Sequence, residues 1–377
     1  MFTLKGKYNS ANILTDAGID DTTTSQIYTF LNHPAFAKGY IAIMPDCHAG
    51  KGSCIGFTMQ LNDYIIPNIV GVDIGCGMYA MKIPGEMNDE DFKAFDEWIR
   101  NRIPSGFSIH ESPTDAAHYN RDEADIFKDL AWRVGQKSGR VLESLGTLGG
   151  GNHFIEIDKT DAGGLWIVIH SGSRNLGLTV AQFHQDRAAE FCRKALVHGI
   201  PKGAEYLPRE MGGEEYLGDM ALAQLYARRN REAMGHIIMG FFDCDPEEAF
   251  HCVHNYISFE DDIIRKGAIS AHEGERVLIP LNMRDGIIIG TGKGSKKWNM
   301  SAPHGAGRLF SRGQAKKTLS LDEFTSDMDG IWTSCVSHGT LDECPRAYKP
   351  KEVILDVIGE TVDVEAVLKP IYNFKAS

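Results

Sequence analysis

The sequence predicts an α+β fold in which mixed β-sheets are flanked by peripheral helices. Three observations lead to this prediction. Short β-branched runs occur together with long segments of helical periodicity, and several of these runs end directly in glycine-rich loops. No fixed-period repeat, low-complexity run or proline-rich linker divides the chain. We therefore expect one compact domain over residues 1–377, with functional groups in the loops that follow its strands.

The individual elements follow from local patterns. Residues 88–102 place acidic side chains in a first helical turn and apolar ones at helical spacing, and residues 179–197 repeat this pattern. A third helix is expected over about 214–242. The predicted strands lie in the runs YIIPNIVGVDIG (64–75), LWIVIHSGS (165–173), RVLIPL (276–281), GIIIGTG (286–292) and EVILDVI (352–358).

Composition excludes several classes of protein. Hydrophobic residues make up 42% and charged residues 24%, so neither a disordered nor a fibrous chain is favoured. No stretch has the ~18 apolar residues of a membrane-spanning helix, and the first residues lack the apolar region of a signal peptide, so we expect a cytoplasmic protein. The eight cysteines include no CxxC pair, which argues against structural disulfides.

The net charge of −12 argues against a broad nucleic-acid surface, because nonspecific affinity comes mainly from neutralised phosphates. A narrow basic channel remains open. The basic residues that cluster in glycine-rich parts of the sequence are Lys51, Arg174, Lys266, Lys293, Lys296, Lys297, Arg308, Arg312, Lys316 and Lys317.

A first candidate for metal binding is VGVDIGCGM, where Asp73 and Cys76 are three residues apart among three glycines. The glycines allow a tight loop that turns both side chains inward, and a thiolate can bridge two divalent ions. Taken alone, the pair is more typical of a turn aspartate and a small buried cysteine.

Three histidines extend this hypothesis. His153 follows a triple glycine and Asn152, and His170 ends the apolar run LWIVIH. His254 forms an HxxH pair with His251 and is followed by Asn255. Each of them alone could be an ordinary core histidine. Together they supply neutral imidazoles, which suit ions of the Mn, Fe, Co and Zn group.

A basic glycine-rich stretch, IGTGKGSKKWNMSAPHGAGRLFSR, contains His304. It fits neither the P-loop pattern nor a dinucleotide fingerprint, although its amides and lysines could hold phosphates. A surface loop with solvated lysines is the alternative. A histidine beside metal-bound phosphate can form a phosphoramidate, so His304 is the candidate nucleophile. MPDCHAGKG adds Asp46 and His48, which turn chemistry alone could explain.

Taken in order, these segments resemble the RtcB family of 3'-phosphate RNA ligases. The resemblance runs from MPDCHAGKG to NFKAS, through DIGCG, LGTLGGGNHFIE, HSGSRNLG, HN, HGAGR and DECPRAYK. It implies mixed sheets around a central metal and nucleotide cleft. It also implies a GTP- and Mn²⁺-dependent ligase acting on RNA with a 3'-phosphate or 2',3'-cyclic phosphate and a 5'-hydroxyl end, in RNA repair or tRNA splicing.

The resemblance also implies roles for individual residues. His304 would be guanylylated, and Cys76 would bridge two Mn²⁺ ions. Asp73 and His153 would complete one metal site, and His170 and His254 the other. The guanylate contacts would be Asn152, Glu156, Asn255, His304, Gly305, Ala306, Gly307, Tyr348 and Lys375. Arg174, Arg140 and Lys266 would bind RNA phosphate, and Asp46 would support the site from behind.

Guanylate would pass from histidine to the RNA 3'-phosphate, and a 5'-hydroxyl would then release GMP. The alternative is a metal-dependent cyclic phosphodiesterase, which would not need His304, Tyr348 or Lys375. Two departures from the family pattern are expected to matter: GTGKGSKKWNM in place of a proline-glycine-serine-methionine loop that contacts the nucleotide, and Asn175 in place of a glycine. Family members also work with an activating protein or accompany a release-factor-like protein. The physiological RNA and the oligomeric state stay open.

Overall fold

The structure is a computed structural model that describes residues 1–15, 18–160 and 163–376, so the final Ser377 of NFKAS lies outside the described residues. The helices, in chain order, are α1 (Asp21–Leu31), α2 (Pro67–Val70), α3 (Asp89–Arg102), α4 (Arg121–Arg133), α5 (Ser138–Glu143), α6 (Arg174–Lys194), α7 (Gly213–Phe242), α8 (Arg312–Thr318), α9 (Leu321–Asp327) and α10 (Glu352–Leu355).

The strands, in chain order, are β1 (Phe2–Lys5), β2 (Ser10–Ile13), β3 (Ile41–Ile43), β4 (Phe57–Gln60), β5 (Tyr64–Ile65), β6 (Gly77–Ile83), β7 (Phe154–Lys159), β8 (Leu165–Ser171), β9 (Leu207–Pro208), β10 (Glu248–Val253), β11 (Asn255–Ile257), β12 (Ile263–Lys266), β13 (Ala268–Ser270), β14 (Arg276–Asn282), β15 (Gly286–Gly292), β16 (Ser301–Pro303) and β17 (Val362–Lys375). Mixed sheets and surrounding helices confirm the α+β class.

The larger sheet is antiparallel throughout, with the strand order β10-β6-β8-β7-β17-β15-β14. Apolar side chains cover both of its faces. One face packs against α3 and α7 through residues such as Phe95 and Met234, and the other against residues such as Ala302 and Ile354. Burial on both faces explains why β8 is an unbroken apolar run rather than an alternating one.

The second sheet has six strands in the order β1-β2-β3-β4-β12-β11, with β2 and β3 parallel. Its apolar side chains form a separate core with residues of α1, α4, α6 and α7. The long helix α7 contributes to both cores, because it presents Tyr216 and Tyr226 to this sheet and Met234 and Ile238 to the larger one.

The register of the larger sheet brings distant chain segments to one edge. Gly77 lies opposite both Ser171 and Val253, and Phe154 lies opposite both His170 and Lys375. The residues that neighbour these pairs in sequence therefore lie together at one end of the sheet. The candidate site is built at that end.

The sequence-based predictions of elements were partly correct. The helices expected at 88–102 and 214–242 are α3 and α7, and the strands at 165–171, 276–281 and 286–292 are present. The helix expected over 179–197 begins earlier, at Arg174. Two strand predictions were wrong. YIIPNIVGVDIG is a two-residue strand followed by helix α2 and a loop, because Pro67 favours a first helical position. EVILDVI is helical, with Ile354 and Ile358 buried four residues apart.

Candidate metal and nucleotide site

The loop between α2 and β6 carries Asp73 and Cys76. Gly71 and Gly75 have positive φ values of 85° and 73°, which favour glycine. A side chain at Gly75 would come within 2.9 Å of the Cα of Gln224 in α7, so the loop also needs glycine for close packing. The backbone of this loop therefore packs directly against α7.

The three predicted histidines join this loop from separate strands. His153 precedes β7, His170 lies near the end of β8, and His254 joins β10 to β11. Cys76 Sγ lies 3.2 Å from His170 Nε2 and 3.6 Å from His153 Nε2. His170 Nε2 lies 3.4 Å from His254 Nε2, and His153 Nε2 lies 3.0 Å from Asp73 Oδ2. We call these five residues the ligand cluster.

The ligand cluster contains two groups that could each hold an ion, and they share Cys76. One group is Asp73, Cys76 and His153, and the other is Cys76, His170 and His254. Within each group the ligand atoms lie within 4.8 Å of one another. Carboxylate, thiolate and imidazole are donors that first-row divalent ions accept, so the residues present fit the metal that the family resemblance implies.

The outer nitrogens of two imidazoles fix which nitrogen faces the cluster. His153 Nδ1 lies 2.8 Å from Leu148 O, and His170 Nδ1 lies 3.1 Å from Asn152 O. A carbonyl can only accept, so each Nδ1 donates its proton and Nε2 keeps a lone pair directed at the ligand cluster. This is the tautomer that a metal ligand requires.

The electrostatics of the ligand cluster favour neutral imidazoles. Burial lowers the pKa of His170 and of His254 well below the ordinary value. Burial also raises the pKa of the Cys76 thiol, and the neighbouring Asp73 adds to this. Burial would raise the pKa of Asp73 too, but its close contact with His153 Nε2 holds it below its usual range. Asp73 is thus the anionic member of the ligand cluster.

Two buried cations support the loop between α2 and β6 that carries Asp73 and Cys76, which we call the metal loop. Arg231 donates from Nη1 to Gly75 O and to Ser171 O, both at 2.8 Å, and Lys266 Nζ donates to Val70 O at 3.0 Å. Burial lowers the pKa of Lys266 to about 8, although Asp73 and Cys76 oppose the shift. The ammonium of Lys266 is therefore directed into the loop. Sequence reasoning missed Arg231, whose place in the middle of α7 gives no local signal.

His304 follows β16 and lies beside the ligand cluster, with its ring centroid 4.8 Å from that of His254. Its Nδ1 lies 2.5 Å from Oδ2 of Asp46, and the same oxygen accepts the backbone N–H of His304 at 3.1 Å. Asp46 is fully buried. A carboxylate that accepts Nδ1–H orients the imidazole and leaves Nε2 available as a nucleophile.

A cleft opens next to His304. Of the residues expected to contact a guanylate, those that line it are Asn152, Glu156, His304, Gly305, Ala306, Gly307, Tyr348 and Lys375. Asn255 does not line the cleft. It accepts the backbone N–H of Gly267 at 3.0 Å, and its amide lies 3.4 Å from Asp73 O, so it braces the metal loop instead.

One wall of the cleft is organised by Glu343, which sequence reasoning missed although it lies in the DECPRAYK motif. Its carboxylate accepts from Lys375 Nζ and Tyr348 Oη, both at 2.7 Å, and from Arg312 Nη1 at 2.8 Å. Burial would raise its pKa, but the charges of Lys375, Arg312 and Arg308 lower it to about 2. We call Glu343 and these four partners the cation wall.

Glu156, which lines the cleft, faces the carboxyl group of Asp158 behind it. Glu156 and Asp158 lie two residues apart on β7 and so share one side of the sheet. Asn373 donates to Glu156, whereas neither oxygen of the fully buried Asp158 has a hydrogen-bond donor among the described residues. Burial raises the pKa of Glu156 to about 7, and burial together with Glu156 raises that of Asp158 well above its ordinary value. The pair therefore retains a proton.

The lysine-rich segment does not line the cleft, contrary to the expectation for GTGKGSKKWNM. Trp298 is buried, Lys293 pairs with Asp363 at 3.4 Å, and Lys297 pairs with Glu360 at 3.4 Å. These contacts tie the segment to the region that precedes β17. The cleft is lined instead by Pro280–Met283 at the end of β14. This stretch, Pro-Leu-Asn-Met, has the proline and methionine of the family loop.

Arg174 lies between the ligand cluster and a neighbouring loop. Its Nε donates to Thr147 Oγ1 at 3.0 Å, and its Nη2 donates to Gly106 O at 2.9 Å. Its φ of 53° is unusual for a residue with a side chain, which indicates a conformation imposed by its surroundings. Gly149 must lack a side chain, since a Cβ there would lie 1.7 Å from Arg174 Nη1. Arg140 is exposed on α5.

Comparisons with known proteins point to one family. The family described as tRNA-splicing ligase RtcB matches residues 26–376. The RNA-splicing ligase RtcB of Escherichia coli K12 is 32% identical, over 90% of this chain and 91% of that protein. RNA-splicing ligase RtcB2 of E. coli ATCC 25922 is 27% identical, over 96% and 94% of the two chains. The tRNA-splicing ligase RtcB of Aeropyrum pernix is 28% identical, over 84% of each chain.

Among the described residues, none of the helices is long and apolar enough to cross a membrane. The sequence motifs, the register that assembles the ligand cluster, and similarity over nearly the whole chain lead to one assignment. The chain belongs to the RtcB family of RNA ligases.

Proposed function

We propose that this chain joins an RNA 3'-phosphate or 2',3'-cyclic phosphate end to a 5'-hydroxyl end, with GTP and two Mn²⁺ ions. The observation that carries the proposal is the Asp46–His304 pair, which lies between a metal-capable cluster and a cleft lined by Asn152, Tyr348 and Lys375. A phosphodiesterase would need the ligand cluster but not a histidine oriented in this way. We also propose that residues 1–377 act as one ligase domain, because site residues span positions 46 to 375.

In this proposal Cys76 bridges the two ions, Asp73 and His153 complete one site, and His170 and His254 complete the other. The two ligand groups that share Cys76 support this division. The ions would neutralise phosphate charge and orient the reacting oxygens. The carbonyls that hold His153 and His170 keep the lone pairs of both rings directed at the metals.

The covalent step that we assign to His304 is attack by Nε2 on the α-phosphorus of GTP. The new bond joins nitrogen to phosphorus, and the bond to pyrophosphate breaks. Asp46 keeps the proton on Nδ1 and stabilises the positive charge that develops on the ring. The guanylate then passes to the RNA 3'-phosphate, and attack by the 5'-hydroxyl releases GMP. A cyclic phosphate is first opened to a 3'-phosphate by water.

The guanylate is proposed to bind along the two walls of the cleft. Asn152, Tyr348 and Lys375 offer polar contacts, and the backbone of residues 305–307 lies beside His304. Glu156 can accept hydrogen bonds from the N–H groups of a guanine edge, which adenine does not present in the same pattern. We propose that Asn255 supports the site indirectly, by holding the loop of Asp73 and Cys76 in place.

For RNA phosphate, the proposed contacts are Arg174 and Arg140. Neither guanidinium has a carboxylate partner among the described residues, so both are available to an anion. Lys266 stays the weakest of the three candidates, because Val70 O already accepts from its ammonium at 3.0 Å.

The decisive experiment incubates the protein with α-labelled GTP and Mn²⁺ and then separates it on a denaturing gel. The wild type is expected to carry an acid-labile label, and His304→Ala to carry none. His198→Ala, which removes an exposed histidine, is the matched control and should label normally. An unlabelled wild type that still opens cyclic phosphates would refute the ligase mechanism. A labelled His304→Ala would show that the nucleophile is another residue.

A further inference from the structure

The loop that follows α3 presents an aromatic side chain entirely to solvent. Phe107 is 98% exposed, whereas the next most exposed phenylalanine among the described residues, Phe259, is 57% exposed. A phenyl ring in water gains none of the stabilisation that burial of such a side chain contributes. None of the described residues covers this ring, so it is free to contact an external partner.

The backbone of this loop is nevertheless firmly held. Gly106 N donates to Gly149 O at 2.8 Å, Leu148 N donates to Pro104 O at 2.9 Å, and His110 N donates to Glu143 O at 3.0 Å. These bonds fix both ends of the loop to the segment 143–149. A rigid backbone that carries an unpacked ring is pre-organised for a ligand, since little conformational entropy is lost on binding.

The same loop connects Phe107 to the candidate site. Gly106 O accepts from Arg174 Nη2 at 2.9 Å, and its partner Gly149 opens the glycine loop that leads to His153. Phe107 is therefore one residue away from a backbone group that contacts both the candidate RNA-phosphate arginine and the loop of a candidate metal ligand.

The surroundings of Phe107 suit a polyanion. A groove beside the loop is lined by Arg100, Arg102, Ser105, Ser108 and His110, and no acidic residue is among its described lining, although Arg100 pairs with Asp96 at 2.7 Å. Arg102 and Arg140 are exposed, and neither has a carboxylate partner in the described parts of the chain. Such cations are notable in a protein with a net charge of −12. They are positioned to neutralise phosphates next to the ring.

We infer that Phe107 is a stacking platform for an unpaired RNA base near the end to be joined. An exposed aromatic ring beside a positive groove is how proteins hold single-stranded nucleic acid without reading its sequence. An apolar protein partner fits less well, because the neighbours Ser105, Gly106 and Ser108 do not extend the ring into an apolar patch. The inference rests on the RNA ligase function and adds a contact that positions its substrate.

The test measures binding of a single-stranded RNA with a 3'-phosphate, containing a 2-aminopurine base near that end, at fixed ionic strength. Phe107→Ala is expected to weaken binding about 5- to 150-fold and to abolish quenching of the 2-aminopurine. Phe107→Tyr should restore both. Phe107→Leu keeps an apolar side chain without a ring and should behave like alanine. Phe259→Ala, which removes an exposed ring elsewhere, should bind like the wild type.

Guanylylation by labelled GTP, measured on the same proteins, separates this inference from the proposed mechanism. Phe107→Ala should label like the wild type, and its ligation defect should appear mainly as a raised KM for RNA. Wild-type RNA affinity in Phe107→Ala or in Phe107→Leu would overturn the stacking role. A wild type that binds RNA through Phe107 but never becomes labelled would overturn the mechanism and leave the stacking role in place.

Discussion

The ligand cluster and the cation wall are both buried and polar, but they satisfy their polar groups in opposite ways. In the ligand cluster, His170 Nε2 lies 3.2 Å from Cys76 Sγ and 3.4 Å from His254 Nε2, and Nδ1 of His254 has no partner among the described residues. In the cation wall, Glu343 is already paired with Lys375 and Arg312. The first arrangement gains from a cation, whereas the second is complete without a ligand.

This difference suggests that the ligand cluster and the cation wall have different roles within one site. Lone pairs that face one another repel unless a proton or a metal ion lies between them, so the ligand cluster contributes little to stability in the absence of metal. The paired charges of the cation wall fix the cleft as the chain folds, because an unpaired buried charge is costly. We therefore expect metal-free protein to keep its nucleotide cleft.

The largest expected effect is that of Cys76→Ala on activity. Loss of the ligand shared by both metal groups should lower ligation about a thousandfold or more, the equivalent of ~4 kcal/mol in the transition state. Without metal, the free energy of unfolding should change by only about 1 kcal/mol. Ligation assays, metal analysis and urea unfolding with EDTA or Mn²⁺ measure these quantities.

Cys192→Ala is the matched control, since it removes a buried thiol of α6 that lies outside the site. Mn²⁺ should stabilise this control and the wild type, by ~2.7 kcal/mol at a concentration a hundredfold above Kd, and Cys76→Ala much less. Full metal stoichiometry and turnover in Cys76→Ala would refute the bridging role.

A smaller effect, on stability alone, is expected for Glu343→Gln. The change leaves the buried Lys375 ammonium and its neighbours without their counter-charge, which should lower the free energy of unfolding by about 3–5 kcal/mol. Urea unfolding should give the same loss with and without Mn²⁺. Glu360→Gln breaks the exposed pair with Lys297 and should cost about 1 kcal/mol or less. Equal losses in the two variants would contradict a preformed cation wall.

The smallest expected effect is a change in pH dependence caused by Asp158→Asn. The folded pair of Glu156 and Asp158 retains a proton that the unfolded chain releases near the ordinary aspartate pKa of 3.8. Because the native state then binds more protons, its stability falls as pH rises from about 4 towards the raised pKa of about 7 at Glu156.

An asparagine cannot release that proton. The free energy of unfolding of the variant should therefore fall less steeply with pH than that of the wild type, by up to ~1.4 kcal/mol per pH unit over this range. Urea unfolding at pH 5, 6 and 7 measures the difference. Asp363→Asn, at an exposed carboxyl, should leave the slope unchanged. Parallel curves for wild type and Asp158→Asn would show that the two carboxyls share no proton.

Local patterns in the sequence predicted elements whose burial repeats along the chain. Asn88 caps α3, whose apolar residues recur at helical spacing, and β8 reads as an unbroken apolar run. The ligand residues were also predictable, because Asp73, Cys76, His153 and His170 lie in or beside glycine-rich motifs at the ends of elements, and His254 lies in an HxxH pair. The motifs and their order were enough to identify the family.

Features that depend on distant partners could not be predicted. Glu343 lies in a short turn, and the residues that surround it come from positions 308, 312, 348 and 375. Strand β17 was also missed, since charged residues interrupt it and Pro370 argues against a strand interior. The structure accommodates Pro370 at a shift in register. Lys293 and Lys297 looked like phosphate ligands because their acidic partners, Asp363 and Glu360, lie more than sixty residues away.

The position of β17 in the larger sheet has a consequence for biosynthesis. This strand lies between β7 and β15, so both of their edges stay open until it is made. At usual translation rates, roughly 4 to 17 s separate the synthesis of Gly292, which ends β15, from that of Lys375. During that interval a nascent chain exposes two strand edges to its neighbours on a polysome and cannot hold a nucleotide against Lys375. Polysome-bound chains should therefore be the form of this protein most dependent on chaperones.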